Sequence, residues 1–155
     1  MNNEAKAVIA RAAVELIADG ATVYLDYTTS YAIAAEIVRQ QKRATVITPT
    51  LPIANILPES TEVDTVVLGG IMRRNECSLF GPLAERALEG ATSSKAMDHC
   101  TTVVLVADAD KLDTIAVNRI SELESIDVVI TDGTPSPELS VAIDGADITL
   151  TTTKE

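Results

Sequence analysis

The sequence predicts an α/β domain: a mostly parallel sheet of about six strands with helices on both faces. Three observations lead there. Short runs rich in β-branched residues recur at 22–26, 44–50, 64–70, 101–108, 126–132 and 146–152. Segments with helical spacing separate most of them, which is the alternation of parallel strands and crossover helices. The apolar content is aliphatic, with 46% hydrophobic residues but only 3% aromatic ones. A core of Val, Ile, Leu and Ala suits buried strands packed under Ala-rich helices.

Each element has a local reason. Over 3–19, Ala5, Val8, Ile9, Ala12, Ala13, Leu16 and Ile17 fall on the i, i+3, i+4 stripe of a helix that Asn3 can cap and Gly20 can end. The strand 22–26 follows, then a helix over about 29–41. "ATVITPT" (44–50) is a second strand, stopped at Pro49, and "LPIANIL" (51–57) a short helix or turn. "DTVVLGG" (64–70) ends in paired glycines. Residues 82–98 have a helical pattern. The strands "TTVVLVAD" (101–108), "IDVVITD" (126–132) and "ADITLTT" (146–152) complete the sheet, with short helices expected within 114–124 and 136–143. At 155 residues, without an internal repeat, a low-complexity stretch or a Pro/Gly linker, the chain is expected to be a single domain, 1–155.

Composition narrows the function. A formal net charge of −11 repels phosphate backbones, so this chain is not expected to bind nucleic acid directly. No apolar run approaches the ~20 residues of a membrane span, and charges interrupt every apolar stretch of the first twenty residues, so neither membrane insertion nor a signal peptide is expected. The expected location is cytoplasmic. Cys77 and Cys100 are far apart and read as reduced, buried thiols rather than a metal pair or a disulfide. With a single histidine, His99, no metal site or cofactor is expected.

The polar residues sit where ligands bind in an open parallel sheet, beyond the carboxyl ends of the strands. Those ends read Asp26-Tyr27-Thr28-Thr29-Ser30, Thr48-Pro49-Thr50, Gly69-Gly70, Asp108-Ala109-Asp110-Lys111 and Thr131-Asp132-Gly133. Hydroxyls and free N–H groups at a helix start suit a phosphate or carboxylate, glycines permit close approach, and Lys111 adds a positive charge. Taken alone, Thr28, Thr29 and Ser30 could simply cap a helix, Asp108 and Asp110 read as solvated turn residues, and Arg73-Arg74 as an exposed pair. Taken together, the clusters define a candidate ligand edge.

The order of these motifs resembles the C-terminal effector-sensing domain of the DeoR family of bacterial transcription regulators. "LIADGATVYLDYTTS" stands where that family has a helix end, a strand and an LD-GTT turn. "ITPT" stands for its VTNS, Gly69-Gly70 for its GG, Ser78 and Gly81 for its later Ser and Gly, "ADADK" (107–111) for its Asp-Lys motif, and Ile130-Thr131-Asp132 for its ITD. The resemblance implies a Rossmann-like fold shared with sugar-phosphate isomerases and CoA transferases. It also implies a phosphorylated-sugar effector that controls DNA binding by a helix-turn-helix domain, which is expected to be absent from this chain. Carried over, Asp26, Thr29 and Ser30 would hold the phosphate and nearby hydroxyls, with Thr28 in the same turn. Thr48, Gly69 and Gly70 would line the pocket, and Lys111 would contact the anion, beside Asp108. Thr28 replaces a family glycine and Pro49 a family asparagine. Some 25 family residues have no counterpart between residues 90 and 95. The protein is expected to be a homo-oligomer.

The rival class is an enzyme on the same fold. "IDGAD" (143–147) matches a motif of ribose phosphate isomerase, in which paired acids move a proton. The plainer reading is that Gly145 ends a helix and Asp147 opens a strand.

Overall fold

The computed structural model describes residues 3–26, 29–75, 77–83, 97, 100–112, 114 and 121–153. Eight strands and four α-helices are assigned among them. In chain order they are α1 (Asn3–Glu15), β1 (Ala21–Tyr24), α2 (Thr29–Arg39), β2 (Ala44–Thr48), α3 (Leu51–Ile56), β3 (Val63–Val67), β4 (Ile71–Arg73), β5 (Ser78–Phe80), β6 (Val104–Ala107), β7 (Val128–Thr131), α4 (Pro137–Gly145) and β8 (Thr149–Thr152). Single 3-10 turns cover Leu57–Glu59, Ala109–Lys111 and Leu123–Ser125.

All six expected strands form, and every pairing among them is parallel, but they divide into two sheets. One has the order β1-β2-β3 and the other β6-β7-β8. Between them in sequence lies an antiparallel hairpin, β4-β5, which the strand pattern did not announce. Its strands have only three residues each, too short for a period-2 signal to register.

A single aliphatic core joins the two halves. It contains Ile9, Ala10, Ala13 and Val14 of α1, Ile33, Ala34 and Ile37 of α2, Ala44 and Val46 of β2, Ile53 of α3, and Ile130 of β7. Helix α1 packs on α2 and also touches β6 and β7, so it ties both sheets to that core. The pleat of β7 turns Ile130 toward α1 and Val129 to the opposite face. There Val129 packs with Ile143 of α4 and Ile148, so α1 and α4 cover opposite faces of this sheet.

One helix boundary differs from the sequence reading. Helix α1 ends at Glu15, where Leu16 N–H turns back to the Ala13 carbonyl. Leu16 therefore leaves the apolar stripe and is 53% exposed. Gly20 serves the following turn instead, with φ of 73° and its N–H on the Arg43 carbonyl. The helix expected over 82–98 lies largely outside the described residues, as do His99 and most of 114–124. Cys77 and Cys100 are exposed, not buried, and form no disulfide. Cys77 occupies the β4–β5 turn with φ of 50°, so it never enters the core.

Candidate functional site

Hydrogen bonds gather the carboxyl ends of the strands into two groups, one per sheet. In the first, Leu25 N–H donates to the Ile47 carbonyl at 2.9 Å, and Leu68 N–H donates to the Thr48 carbonyl at 3.0 Å. These bonds bring the ends of β1, β2 and β3 level. The Ser30 hydroxyl donates to the Asp26 carbonyl at 2.5 Å, which binds the first turn of α2 to the end of β1. Thr29 opens α2, whereas Thr28 lies outside the described residues. The hairpin docks on the end of β2: Leu51 N–H donates to the Cys77 carbonyl and Leu79 N–H to the Pro49 carbonyl.

The glycines at the end of β3 divide in role. Gly70 has φ of 151°, and a Cβ there would lie 2.5 Å from the Phe80 carbonyl oxygen. The hairpin can start only from a glycine at that position. Gly69 is exposed beside it.

The second group is built on β6 and β7. Ala109 N–H donates to Asp132 Oδ1 at 2.7 Å, and Lys111 N–H donates to the Asp108 carbonyl at 2.9 Å. A Cβ on Gly133 would lie 2.4 Å from that of Ala109, so the two loops touch and the contact excludes any larger residue. Lys111 is exposed. Asp108 is not the solvated turn residue that its neighbours suggested. It is 6% exposed, and its Oδ1 is buried without a hydrogen-bond partner.

The two groups share a device. Thr48 and Thr131 are each the last residue of the central strand of a sheet, and both are fully buried. Thr50 N–H donates to Thr48 Oγ1 at 3.0 Å, and Gly133 N–H donates to Thr131 Oγ1 at 3.2 Å. In each case a threonine hydroxyl turns the chain over the sheet end, as Ser and Thr side chains do in local turns. The signal was in the sequence as the repeated Ile-Thr of "ITPT" and "ITDG". Thr50, Thr131, Asp132 and Gly133, read from the sequence as members of the strand-end clusters, thus belong to the candidate site beside the residues that the resemblance carried over. Thr50 is 5% exposed, and its hydroxyl, like Asp108 Oδ1, is buried and unpartnered.

Two open concavities lie elsewhere. One of about 460 Å³, at the amino ends of β2 and β3, is lined by Asp19, Gly20, Arg43, Ala44, Thr45, Glu62 and Asp64. Arg43 is committed there to Asp19, whose carboxylate raises the guanidinium above its ordinary value. With that cation neutralised by Asp19, two further acids remain, Glu62 and Asp64, which is unsuitable for an anion. The second, of about 340 Å³, lies between α1 and α2. At its rim a hydrogen bond from Arg39, chiefly, holds the Glu36 carboxyl below its usual range. Neither concavity gathers the hydroxyl-built turns found at the strand ends, so the chemistry favours the strand-end edge for an anion. Among the described residues no group of His, Cys, Asp and Glu could hold a metal, and no helix is long and apolar enough to cross a membrane.

The "IDGAD" acids do not reach this edge. Gly145 is the last residue of α4, and Asp147, with φ of 59°, precedes β8 at its amino end. Asp144 and Asp147 are exposed.

Fold and strand ends together define a Rossmann-like α/β domain with a polar carboxyl edge, the architecture of small-ligand sensors and sugar-phosphate enzymes. Residues 1–97 match the family described as the DeoR C terminal sensor domain, and the chain belongs to that family. The relatives are named as transcription regulators. An HTH-type transcriptional regulator GlpR of Haloferax volcanii is 29% identical over 96% of this chain and 69% of its own length. The lactose phosphotransferase system repressor of Lactococcus lactis is 27% identical over 89% of this chain and 65% of its own length. An HTH-type transcriptional repressor GlcR of Bacillus subtilis is 25% identical over 99% of this chain and 69% of its own length. Across the curated relatives it matches, the chain spans 60–69% of their length. The alignment with GlcR runs over 179 positions while the chain has 155 residues. More than twenty positions of that alignment thus have no counterpart here, close in size to the family segment that the resemblance leaves unmatched between residues 90 and 95.

Proposed function

We propose that the carboxyl edge of the two sheets binds a phosphorylated sugar, and that this chain is the effector-sensing part of a regulator whose helix-turn-helix reads DNA. The observation that carries the reading is the pair of hydroxyl-built strand-end turns, Thr48 to Thr50 and Thr131 to Gly133. They set small and polar residues at the ends of β2 and β7, with the exposed amine of Lys111 beside the second. In this reading Asp26, Thr29 and Ser30, at the start of α2, are assigned to the phosphate, and Thr28, which lies outside the described residues, is proposed with them. Thr48, Gly69, Gly70 and Asp108 line the remainder, and Lys111 supplies the cation. The names of the relatives support a regulator over an isomerase, and one of them is named for a lactose phosphotransferase system. The exposed placement of Asp144 and Asp147 at the opposite strand edge removes the feature that favoured proton transfer.

Self-association belongs to the same proposal. Strand β3 pairs on one side with β2, and Val66 and Val67 are each 44% exposed, beside the 65% exposed Ile71 of the hairpin. Apolar side chains clustered at a sheet edge suit burial against another copy.

A thermal-shift panel tests the ligand. Sugar phosphates should raise the melting temperature, because they bind the folded state alone, and the parent sugars should not. Equal shifts with both, or no shift with any phosphate, would remove the proposed site.

A further inference from the structure

Among the described residues β1 and β6 are each paired with a strand on one side only, and they do not pair with each other. The helices show how the two sheets lie side by side. On one face α1 packs on α2, and α2 packs on α3. Helix α1 covers β6 and β7, whereas α3 covers β2 and β3. Helix α2, between them, therefore stands over the junction, and β1 is the strand of its sheet nearest to the other sheet. The core agrees. Val23 of β1 and Val104 and Val106 of β6 pack on one cluster, while Leu150 of β8 packs on the other, with Ile143 of α4. The order across the molecule is β3-β2-β1 and then β6-β7-β8, with two open edges at the centre.

Those edges lack the usual protection. Neither "ATVY" nor "VLVA" contains a proline or a charge, the devices that keep free strand edges from pairing. The central strands β2 and β7 are mostly buried, but Val23, Val104 and Val106 are only half-buried, and Leu105 is 42% exposed. Leu25 N–H donates to β2, so by alternation Thr22 N–H points the other way, to the open edge. We infer that the gap between β1 and β6 is a docking slot for an extended apolar segment of a partner chain, which adds as a parallel strand and joins the two sheets into one. The walls set its chemistry: about four to six uncharged, β-branched residues that pack on the valines and offer backbone N–H and C=O groups to both edges. The alignment with the Bacillus subtilis relative contains such a surplus, with more than twenty positions that have no counterpart here, several times the length of one strand. Filling the slot places both halves of the strand-end edge on one continuous sheet.

The test is amide hydrogen exchange of the 155-residue chain, alone and with a synthetic peptide carrying the unmatched positions of that relative. In the free chain the open-edge amides of β1 and β6 should exchange at least about tenfold faster than the amides of β2 and β7. The peptide should slow them by about tenfold or more, leave the outer edges of β3 and β8 unchanged, and raise the melting temperature. The same peptide with a central proline should do neither. Thr22→Pro deletes one N–H on the open edge, where proline is tolerated, so the variant should melt close to the parent and bind the peptide about tenfold more weakly. Open-edge amides as protected in the free chain as those of β2 and β7 would mean that the edges already close on each other. Either that result, protection by the peptide at β3 instead, or no protection at all would overturn the inference. So would a folded Thr22→Pro variant that binds as the parent does. If that variant does not fold, exchange in the parent chain decides alone.

Discussion

Replacing Gly133 by Ala should weaken the protein out of proportion to the single methyl added. The new Cβ would stand 2.4 Å from Ala109 Cβ and 3.1 Å from Ala109 Cα. Carbon atoms prefer about 3.5–4.0 Å, so the β6 and β7 loops must separate by roughly 1 Å. The neighbour is a backbone-bound methyl with no rotamer to escape into. Separation stretches the bond from Ala109 N–H to Asp132 Oδ1, now 2.7 Å, and disturbs the Thr131 turn, both of which hold Asp108 in place. Overpacking of this kind costs about 1–3 kcal/mol, and a weakened hydrogen bond about 1 kcal/mol more. For a chain of this size, at ~2–4 °C per kcal/mol, the melting temperature should fall by roughly 4–16 °C. Gly145→Ala is the matched control, because a Cβ there meets nothing within 4 Å at the end of α4. It should be neutral, or stabilising by up to ~1 kcal/mol through helix propensity. Circular-dichroism melts of both variants decide the matter. An unchanged melt for Gly133→Ala, or an equal loss in both, would refute the close-approach argument.

Glu36 should show a pH signature. Its folded carboxyl lies below the ordinary value because Arg39 and Gln40 donate to it, so its contribution is present above the unfolded pKa and lost as pH falls through the folded one. The stability gap between the parent and Glu36→Gln, measured by denaturant titration, should therefore narrow below about pH 4; a gap that widens there has the wrong sign. Ile37, fully buried between α1 and the sheets, should cost about 2–5 kcal/mol as Ile37→Ala, and a loss under 1 kcal/mol would mean the core is not as described. With a net charge of −11, these 155 residues alone should not retard operator-like DNA at physiological salt, and tight, salt-sensitive retardation would contradict the sensor reading.

Much of the fold was legible because β-branched runs and helical spacing leave strong periodic signals. Val46 and Ile130 fall inside runs that could be little else. The hairpin was not legible: "IMR" and "SLF" are too short for a period, and its docking on Pro49 and Leu51 is a tertiary contact with no local trace. Nor does sequence distance reveal that six parallel strands pair as three and three. At the site, position was readable but burial was not. Asp108 sits in "ADADK", which resembles a solvated turn, and only the contact of Ala109 with Gly133, 24 positions on, shows why it is enclosed. Thr48 and Thr131 were both readable as strand-end residues, but the likeness of the two turns appears only when both are seen to close central strands.

The central claim, that these strand ends are a phosphate site and not merely helix caps and turns, is tested most directly at Lys111. The side chain is exposed, so Lys111→Ala should leave the melting temperature within the ~0.5 kcal/mol usual for surface changes. As an anion contact it should nonetheless weaken sugar-phosphate binding more than tenfold, since charge-assisted hydrogen bonds are worth about 1.5–3 kcal/mol. Titration calorimetry of parent and variant, with the sugar phosphate that gives the largest thermal shift, supplies the number. Unchanged stability with lost affinity is the predicted result; a Lys111→Ala variant that binds as tightly as the parent would contradict the account.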